Sequence, residues 1–160
     1  MNQNFVTRLY QQLILDTASK ANTLVVLPTG LGKTAIAAML MQNRLENYKN
    51  SNVLFLAPTK PLAQQHEKTL KGLLPDYAEK ITLFTGSISP EKRGDLWKQK
   101  TIIVSTPQGM ENDVIGRKIK LEDVSLLILD EAHRAIGDYA YVFIAKKYME
   151  KANHTRILAL

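Results

Sequence analysis

Short apolar runs alternate with stretches of helical periodicity along the chain. Helical stretches are indicated at residues 33–48 and 61–74, in a short piece after Pro90, and at 141–151. The runs between them are rich in Val, Ile and Leu, as in strands that a parallel sheet buries on both faces. This alternation predicts an α/β fold in three layers, with a mostly parallel central sheet between two layers of helices. The predicted strands are residues 24–27, 53–56, 81–84, 102–104, 126–129 and 157–160.

Polar or glycine-containing segments follow most of these strands. Open α/β sheets bind their ligands at the carboxyl ends of the strands. We therefore expect the segments to lie together on one edge of the sheet and to form the functional site there. They are residues 28–34, 57–61, 85–86, 105–108 and 130–133.

Length and composition narrow the class of protein. A chain of 160 residues, of which 45% are hydrophobic, is expected to fold as one domain around a packed core. No apolar run approaches the roughly 18 residues that cross a bilayer, which excludes a membrane-spanning protein. The sequence has no cysteine, which excludes thiolate catalysis and cysteine-ligated zinc. The first residues do not form a secretory signal, so we expect a cytoplasmic protein.

The charge balance is basic but not decisive. Lysine and arginine number 21 against 15 aspartates and glutamates, a net charge of +6 that is spread over the chain without a basic tail. This surplus is compatible with a polyanionic partner such as nucleic acid, but it does not predict one by itself.

The segment after the first strand has the features of a phosphate-binding loop. Gly30 and Gly32 allow a tight turn whose N–H groups face inward, and Lys33 and Thr34 begin the next helix at its positive end. In such loops the lysine pairs with the β- and γ-phosphates, and the hydroxyl ligates Mg²⁺. The usual G-x-x-x-x-G-K-[ST] pattern has glycine where this chain has Leu27. A simple glycine turn between a strand and a helix therefore stays open as the alternative.

A pair of carboxylates follows the strand at 126–129. In nucleotide hydrolysis an aspartate such as Asp130 can hold Mg²⁺, usually through water, and a glutamate such as Glu131 can orient or deprotonate the attacking water. A solvated acidic pair at the mouth of a loop is the alternative. The phosphate loop and the acidic pair together predict a site for ATP or a related nucleotide.

Three motifs together resemble those of superfamily 2 helicases and translocases: P-T-G-L-G-K-T at 28–34, A-P-T-K-P-L at 57–62 and D-E-A-H at 130–133. The run G-D-Y-A-Y at 137–141 looks more narrowly like the archaeal Hef and eukaryotic FANCM branch, in which Leu27 is a familiar variation. The resemblance spans nearly the whole chain. It implies a RecA-like P-loop NTPase fold, ATP and Mg²⁺ as cofactors, and ATP-driven remodelling of branched DNA such as stalled replication forks.

The same resemblance implies a longer protein. The chain stops in its last predicted strand, before the Ser/Thr-Ala-Thr motif and the second motor domain of the family. Residues 1–160 are therefore expected to be a single N-terminal RecA-like domain whose partner is the second RecA-like domain of the same chain. That second domain supplies arginines to the transferring phosphate, so we expect little ATPase activity from the first domain alone. The protein would be cytoplasmic, of archaeal type, and associated with the nucleoid when it acts.

Position by position, the resemblance assigns roles to individual residues. Gln11 would bind the adenine edge, Lys33, Asp130 and Glu131 would be catalytic, and His133 would couple the nucleotide to strand movement. Thr34 and Asp130 would hold the metal, and the nucleotide would contact Thr29, Gly30, Leu31, Gly32, Lys33 and Thr34. The sugar-phosphate backbone of one DNA strand would contact Thr59, Lys60, Thr85, Gly86, Thr106, Pro107 and Gln108. Hydroxyls, amides and a lysine bind phosphate oxygens without reading bases, although Thr and Pro are also ordinary turn formers.

Other conspicuous residues are interpreted as structural. Trp97 lies in a basic cluster, but such a tryptophan more often packs a short helix onto the core while the lysines are solvated. The cluster consists of Lys92, Arg93, Lys98 and Lys100. Tyr139, Tyr141, Phe143 and Tyr148 have spacings that suit helix packing. His66 and His154 lack nearby partners at metal-binding spacing and are assigned no role.

Two classes of function remain open at this point. One is an ATP-driven DNA motor, and the other is a nucleotide-regulated module that binds nucleic acid without processive movement. RNA stays possible as the polymer, because backbone contacts alone distinguish it poorly from DNA.

Overall fold

Helices and strands alternate through the whole of this computed structural model, which describes residues 6–137 and 139–160. Residues 1–5, on which the absence of a signal was argued, and Asp138 of the G-D-Y-A-Y run lie outside the described residues. The α-helices are Leu9–Lys20 (α1), Lys33–Asn47 (α2), Lys60–Leu73 (α3), Pro90–Gln99 (α4), Pro107–Ile115 (α5) and Ala140–Lys151 (α6). The strands are Thr23–Leu24 (β1), Asn52–Leu56 (β2), Ile81–Leu83 (β3), Ile102–Ser105 (β4), Val124–Leu129 (β5) and Ile157–Ala159 (β6).

The predicted elements are confirmed, with two differences. The first strand is shorter than residues 24–27, because the backbone leaves the sheet after the Val25 N–H donates to the Ala159 carbonyl at 2.8 Å. The second difference concerns the helices, because neither α1 nor α5 was among the predicted helical stretches. The Thr106-Pro107 pair, typical of a turn, here begins α5: the Thr106 hydroxyl accepts from the Gly109 N–H, and Pro107 occupies the first turn, where no N–H is needed.

The sheet contains six strands in the order β1-β6-β5-β2-β4-β3, and every neighbouring pair is parallel. The sheet is thus fully parallel, where a mostly parallel one was predicted. All carboxyl ends consequently lie on one edge, as expected from the sequence. Along that edge the loops follow the strand order. Residues 25–32 after β1 come first, then the end of β6, then residues 130–133 after β5. Residues 57–59 after β2, residue 106 after β4 and residues 84–89 after β3 complete the edge.

Helices cover both faces of the sheet. In β2, Val53 and Phe55 pack into one core cluster, and Leu54 and Leu56 pack into the other. The first cluster contains buried residues from α1, α2 and α3, and the second contains buried residues from α4, α5 and α6. This two-sided burial explains why the strands read as continuous apolar runs rather than as alternating patterns. The result is the three-layer α/β/α arrangement that the sequence predicts.

Trp97 packs into the second core cluster, which confirms its structural interpretation. Arg93 of the same basic cluster is buried. Its guanidinium binds the buried Asp113 carboxylate through two hydrogen bonds, Nε to Oδ2 at 2.7 Å and Nη2 to Oδ1 at 2.6 Å. Nη1 also donates to the carbonyl oxygens of Thr85 and Ile88. The bond to Asp113 raises the pKa of Arg93 and keeps it charged.

Replacing Arg93 by Met should destabilise the fold strongly, because it leaves the Asp113 carboxylate buried without its partner. We expect the free energy of unfolding to fall by about 3–5 kcal/mol in urea titrations. Lys92→Met, at an exposed neighbouring position, is the matched control and should change stability by no more than about 0.5 kcal/mol. Equal stability of the two variants would show that the buried pair does not hold α4 to α5.

Candidate functional site at the carboxyl edge of the sheet

The loop between β1 and α2 has the backbone geometry of a phosphate cradle. Gly30 and Gly32 have φ angles of +84° and +78°, in the left-handed region that favours glycine. The Gly32 carbonyl accepts the N–H groups of Ala35 and Ile36, so α2 begins directly after it. Lys33 is therefore the first helical residue, at the end of the helix where unpaired N–H groups and the macrodipole attract anions.

Helix α1 supports this loop from behind. The Tyr10 hydroxyl donates to the Leu31 carbonyl at 2.7 Å. Gln11 is only 4% exposed; its Oε1 accepts from the Arg8 N–H at 3.0 Å, and its Nε2 lies 3.5 Å from the Leu31 oxygen. A Cβ atom on Gly32 would lie 2.5 Å from Gln11 Nε2. The structure thus places Gln11 against the loop, and its contact with adenine stays a prediction.

The acidic pair follows β5 in an unusual conformation. The Asp130 N–H donates to the Leu56 carbonyl at 2.9 Å, and the Asp130 carbonyl accepts from the Tyr141 hydroxyl at 2.7 Å. Burial, and secondarily the Asp130 charge, raise the pKa of Tyr141, so its phenol remains a donor. Glu131 has a φ of +52°, which a non-glycine residue adopts only at a cost. Its Oε2 lies 3.4 Å from Nε2 of the exposed His133.

The two loops face a common cavity. A space of about 320 Å³ is lined by Lys33 at the start of α2 and by Glu131, Ala132 and His133 from the second loop. Its other wall is apolar and consists of residues 24–27 and Leu160. Only β6 separates β1 from β5 in the sheet, a distance of two strand spacings or roughly 10 Å. The structure therefore brings Lys33 and Glu131 together, although 98 positions separate them in the sequence (131 − 33).

His66 also belongs to this site, and the interpretation that gave it no role is corrected here. Its Nε2 lies 2.8 Å from Asp130 Oδ2, and its ring packs on Phe55 with the ring centroids 4.6 Å apart. Metal-ligand spacing could not reveal the pair, because the two residues lie 64 positions apart. A usable signal was the periodicity of α3: His66 falls between Ala63 and Leu70 at i, i+3, i+7 spacing, on the buried face.

The other half of the edge carries the predicted nucleic-acid residues. The Thr59 and Thr106 hydroxyls cap α3 and α5 by accepting the N–H groups of Leu62 and Gly109, each at 3.4 Å. As acceptors, both hydroxyls keep a proton that they can donate. Lys60, Gly86 and Gln108 are exposed, Thr85 is half-buried with its hydroxyl 2.6 Å from that of Ser87, and Pro107 is buried.

Strand order separates the two candidate sets. The predicted nucleotide residues lie on α1 and after β1 and β5, whereas the predicted nucleic-acid residues follow β2, β4 and β3. The boundary lies between β5 and β2, where Asp130 and His66 meet. In the described part of the chain, no helix is long and apolar enough to cross a membrane.

A parallel sheet with this pair of loops at its carboxyl edge defines a nucleotide-binding domain, and comparison with known proteins identifies the family. The family described as DEAD/DEAH box helicase matches residues 7–160. The chain belongs to this family and is an ATP-binding helicase motor domain.

Its relatives lie in the Hef, FANCM and MPH1 group. The crystal structure of the Pyrococcus furiosus Hef helicase domain superposes with a TM-score of 0.92 at 48% identity, and the match covers 96% of this chain and 33% of that one. The "Putative ATP-dependent RNA helicase MJ1505" of Methanocaldococcus jannaschii is 48% identical over 91% of this chain. The DEAD-box ATP-dependent DNA helicase Fancm of Drosophila melanogaster is 39% identical over 98% of it. The chain spans only 19% and 11% of the lengths of these two relatives.

Gly32→Ala tests whether the loop conformation is needed for nucleotide binding. The new Cβ would meet Gln11 in a backbone conformation that costs an L-residue about 1–2 kcal/mol, so the loop should relax and nucleotide affinity should fall roughly tenfold. Titration with a fluorescent ATP analogue measures this. Gly72→Ala in α3, where a Cβ meets nothing within 4 Å, is the control and should bind like wild type. Wild-type affinity in Gly32→Ala would contradict the loop assignment.

Proposed function

We propose that this chain is the first motor domain of an ATP-dependent DNA helicase or translocase that acts on branched or forked DNA in replication-fork repair. In this proposal residues 1–160 form one N-terminal RecA-like domain, and a second RecA-like domain of a longer chain completes the site. The observation that carries the proposal is the cavity shared by Lys33 and Glu131, which come from separate strand ends.

Lys33 and the loop bind the triphosphate in this proposal. The Lys33 ammonium pairs with the β- and γ-phosphates, and the open N–H groups at the start of α2 take phosphate oxygens. The strand-to-helix loop wraps the phosphates through Thr29, Gly30, Leu31 and Gly32. Gln11 binds the adenine edge with donor and acceptor atoms of its amide.

The residues at the site are suitable ligands for a Mg²⁺ ion that binds together with the nucleotide. Mg²⁺ in such sites takes one or two protein ligands and completes its shell with phosphate oxygens and water. Thr34 and Asp130 are the proposed ligands, and in the described residues no group of three or more His, Cys, Asp or Glu could hold a metal on its own. When bound, Mg²⁺ would neutralise negative charge on the transferring phosphate.

Glu131 is the proposed base for the attacking water. Its backbone is held in a left-handed conformation next to the buried Asp130, and its side chain is 42% exposed on the cavity that Lys33 also lines. A carboxylate there can orient water and accept its proton. His133, within 3.4 Å of Glu131, is the proposed link between hydrolysis and strand movement.

The half of the edge that follows β2, β4 and β3 is the proposed nucleic-acid track. Two helix N-termini capped by threonine open there, and an exposed lysine lies beside one of them. Hydroxyl protons, N-terminal amides and the Lys60 ammonium all bind phosphate oxygens, which gives affinity that depends on salt and little on sequence. The track comprises Thr59, Lys60, Thr85, Gly86, Thr106, Pro107 and Gln108.

DNA is favoured over RNA as the polymer by the printed names of several relatives. Fancm of Drosophila melanogaster and the MPH1 proteins of several fungi are named as DNA helicases, and the solved Hef helicase domain is 48% identical to this chain over the 33% of its length that matches. The M. jannaschii relative and the FANCM relative of Arabidopsis thaliana are named as RNA helicases. A nucleotide-regulated module that binds RNA or DNA without processive movement is therefore the second candidate, and the next experiment includes it.

Two substitutions in the intact protein separate binding from turnover. Lys33→Ala should lose ATP binding, because the phosphates lose their ammonium partner. Glu131→Gln should keep ATP binding and lower kcat by roughly 10²–10⁴, because the water loses its base. ATPase rates are measured with and without forked DNA and a matched RNA fork, and nucleotide binding is measured by fluorescence. Lys49→Ala, at an exposed position beyond the C-terminal end of α2, is the control.

Many-fold stimulation of the wild-type rate by forked DNA supports the motor. Nucleotide-sensitive binding of nucleic acid without stimulation favours the binding module, and stronger stimulation by the RNA fork assigns RNA as the polymer. Unchanged hydrolysis in both Lys33→Ala and Glu131→Gln would defeat the assignment of the site.

A further inference from the structure

The backbone of Asp130 is fixed from two directions. Its N–H donates to the carbonyl of Leu56 at the end of β2, and its carbonyl accepts from the hydroxyl of Tyr141, a fully buried residue of α6. The same hydroxyl lies 3.2 Å from the Leu56 carbonyl, so it bridges the ends of β2 and β5. Because the backbone is held in this way, only rotation of the Asp130 side chain can change the direction of its carboxylate.

His66 removes that freedom. Its Nε2 is 2.8 Å from Asp130 Oδ2, and the two side chains are only 14% and 11% exposed. The imidazole is itself held in place, because its ring lies on Phe55 and its Cα is on the buried face of α3. An ionised carboxylate can only accept hydrogen bonds, so Nε2 carries the proton in this pair.

The result is a carboxylate with its two oxygens in different roles. Oδ2 accepts from His66, and in the described part of the chain no side-chain or backbone group donates to Oδ1. In metal sites, a hydrogen bond of this kind to a ligating side chain sets the orientation and basicity of that ligand. A histidine that merely filled space beside Phe55 would not need a polar atom directed at Asp130.

We infer that His66 is a positioning residue for the ATP site: it holds Asp130 so that the free carboxylate oxygen faces the nucleotide-bound Mg²⁺. The inference rests on the proposed role of Asp130 as a metal ligand. It adds a residue of α3, the helix whose N-terminus lies on the proposed nucleic-acid track, to the nucleotide site.

The test separates the metal from the nucleotide. A fluorescent ADP analogue is titrated into the intact protein in EDTA and again at increasing Mg²⁺. For His66→Leu we expect wild-type affinity for the ADP analogue in EDTA. The Mg²⁺ concentration that produces half of the Mg²⁺-dependent increase in affinity should rise about tenfold or more. For His66→Gln, whose amide nitrogen can donate from a similar reach, we expect most of the wild-type Mg²⁺ dependence to return. A substitution that only disturbed the structure would lower the affinity for the ADP analogue equally in EDTA and in Mg²⁺.

His154→Leu is the matched control. His154 also packs on an aromatic ring, with its centroid 4.1 Å from that of Tyr48, but it lies at the opposite edge of the sheet. This variant should keep the wild-type Mg²⁺ dependence. If His66→Leu also kept the wild-type Mg²⁺ dependence, the inference about His66 would be overturned while the proposed metal site would stand. Absence of any Mg²⁺ effect in the wild type would overturn the proposed metal site and the inference with it.

A measurement on the unmodified side chain covers the case in which His66→Leu does not fold. Nitrogen-15 NMR of the histidine rings in the wild type should show His66 with its proton on Nε2, and Asp130→Asn should shift that resonance. A proton on Nδ1, or no response to Asp130→Asn, would overturn the inference.

Discussion

Parallel pairing of all six strands is the constraint on which the rest of this domain depends. Because every strand runs in the same direction, every carboxyl end opens on one edge, and the polar segments of a long stretch of sequence meet there. Strand order then decides which segments become neighbours. With β6 alone between β1 and β5, Lys33 and Glu131 reach the same cavity, whereas the loops after β2, β4 and β3 lie to the other side.

The apolar core and the polar edge are joined most closely at Asp130. Its backbone is held by Leu56 and Tyr141, and its side chain by His66, which belong to three different elements. The two sheet faces contribute separately, since Tyr141 packs in one cluster and Phe55, beneath His66, packs in the other. A carboxylate supported in this way from both layers keeps one geometry, which is what electrostatic stabilisation of a phosphate requires.

Much of this arrangement could be predicted from the sequence, and the exceptions have physical reasons. The central strands are continuous apolar runs buried on both faces, so their positions were predicted within one or two residues. The shared cavity of Lys33 and Glu131 follows from parallel strands with ligand loops at one end. The His66 contact and the Arg93 ion pair depend instead on how α3 and α4 pack across other elements. Local spacing could place His66 on the buried face of α3, but it does not identify the partner of either residue.

We propose above all that the loop after β1 and the loop after β5 hold one Mg²⁺-bound triphosphate between them. A crystal structure of the intact protein with a non-hydrolysable ATP analogue and Mg²⁺ measures this directly. We expect the Lys33 ammonium to contact the β- and γ-phosphates and the Asp130 and Glu131 carboxylates to face the same phosphates and the metal. An analogue bound away from either loop, or carboxylates turned away from the phosphates that Lys33 contacts, would contradict it.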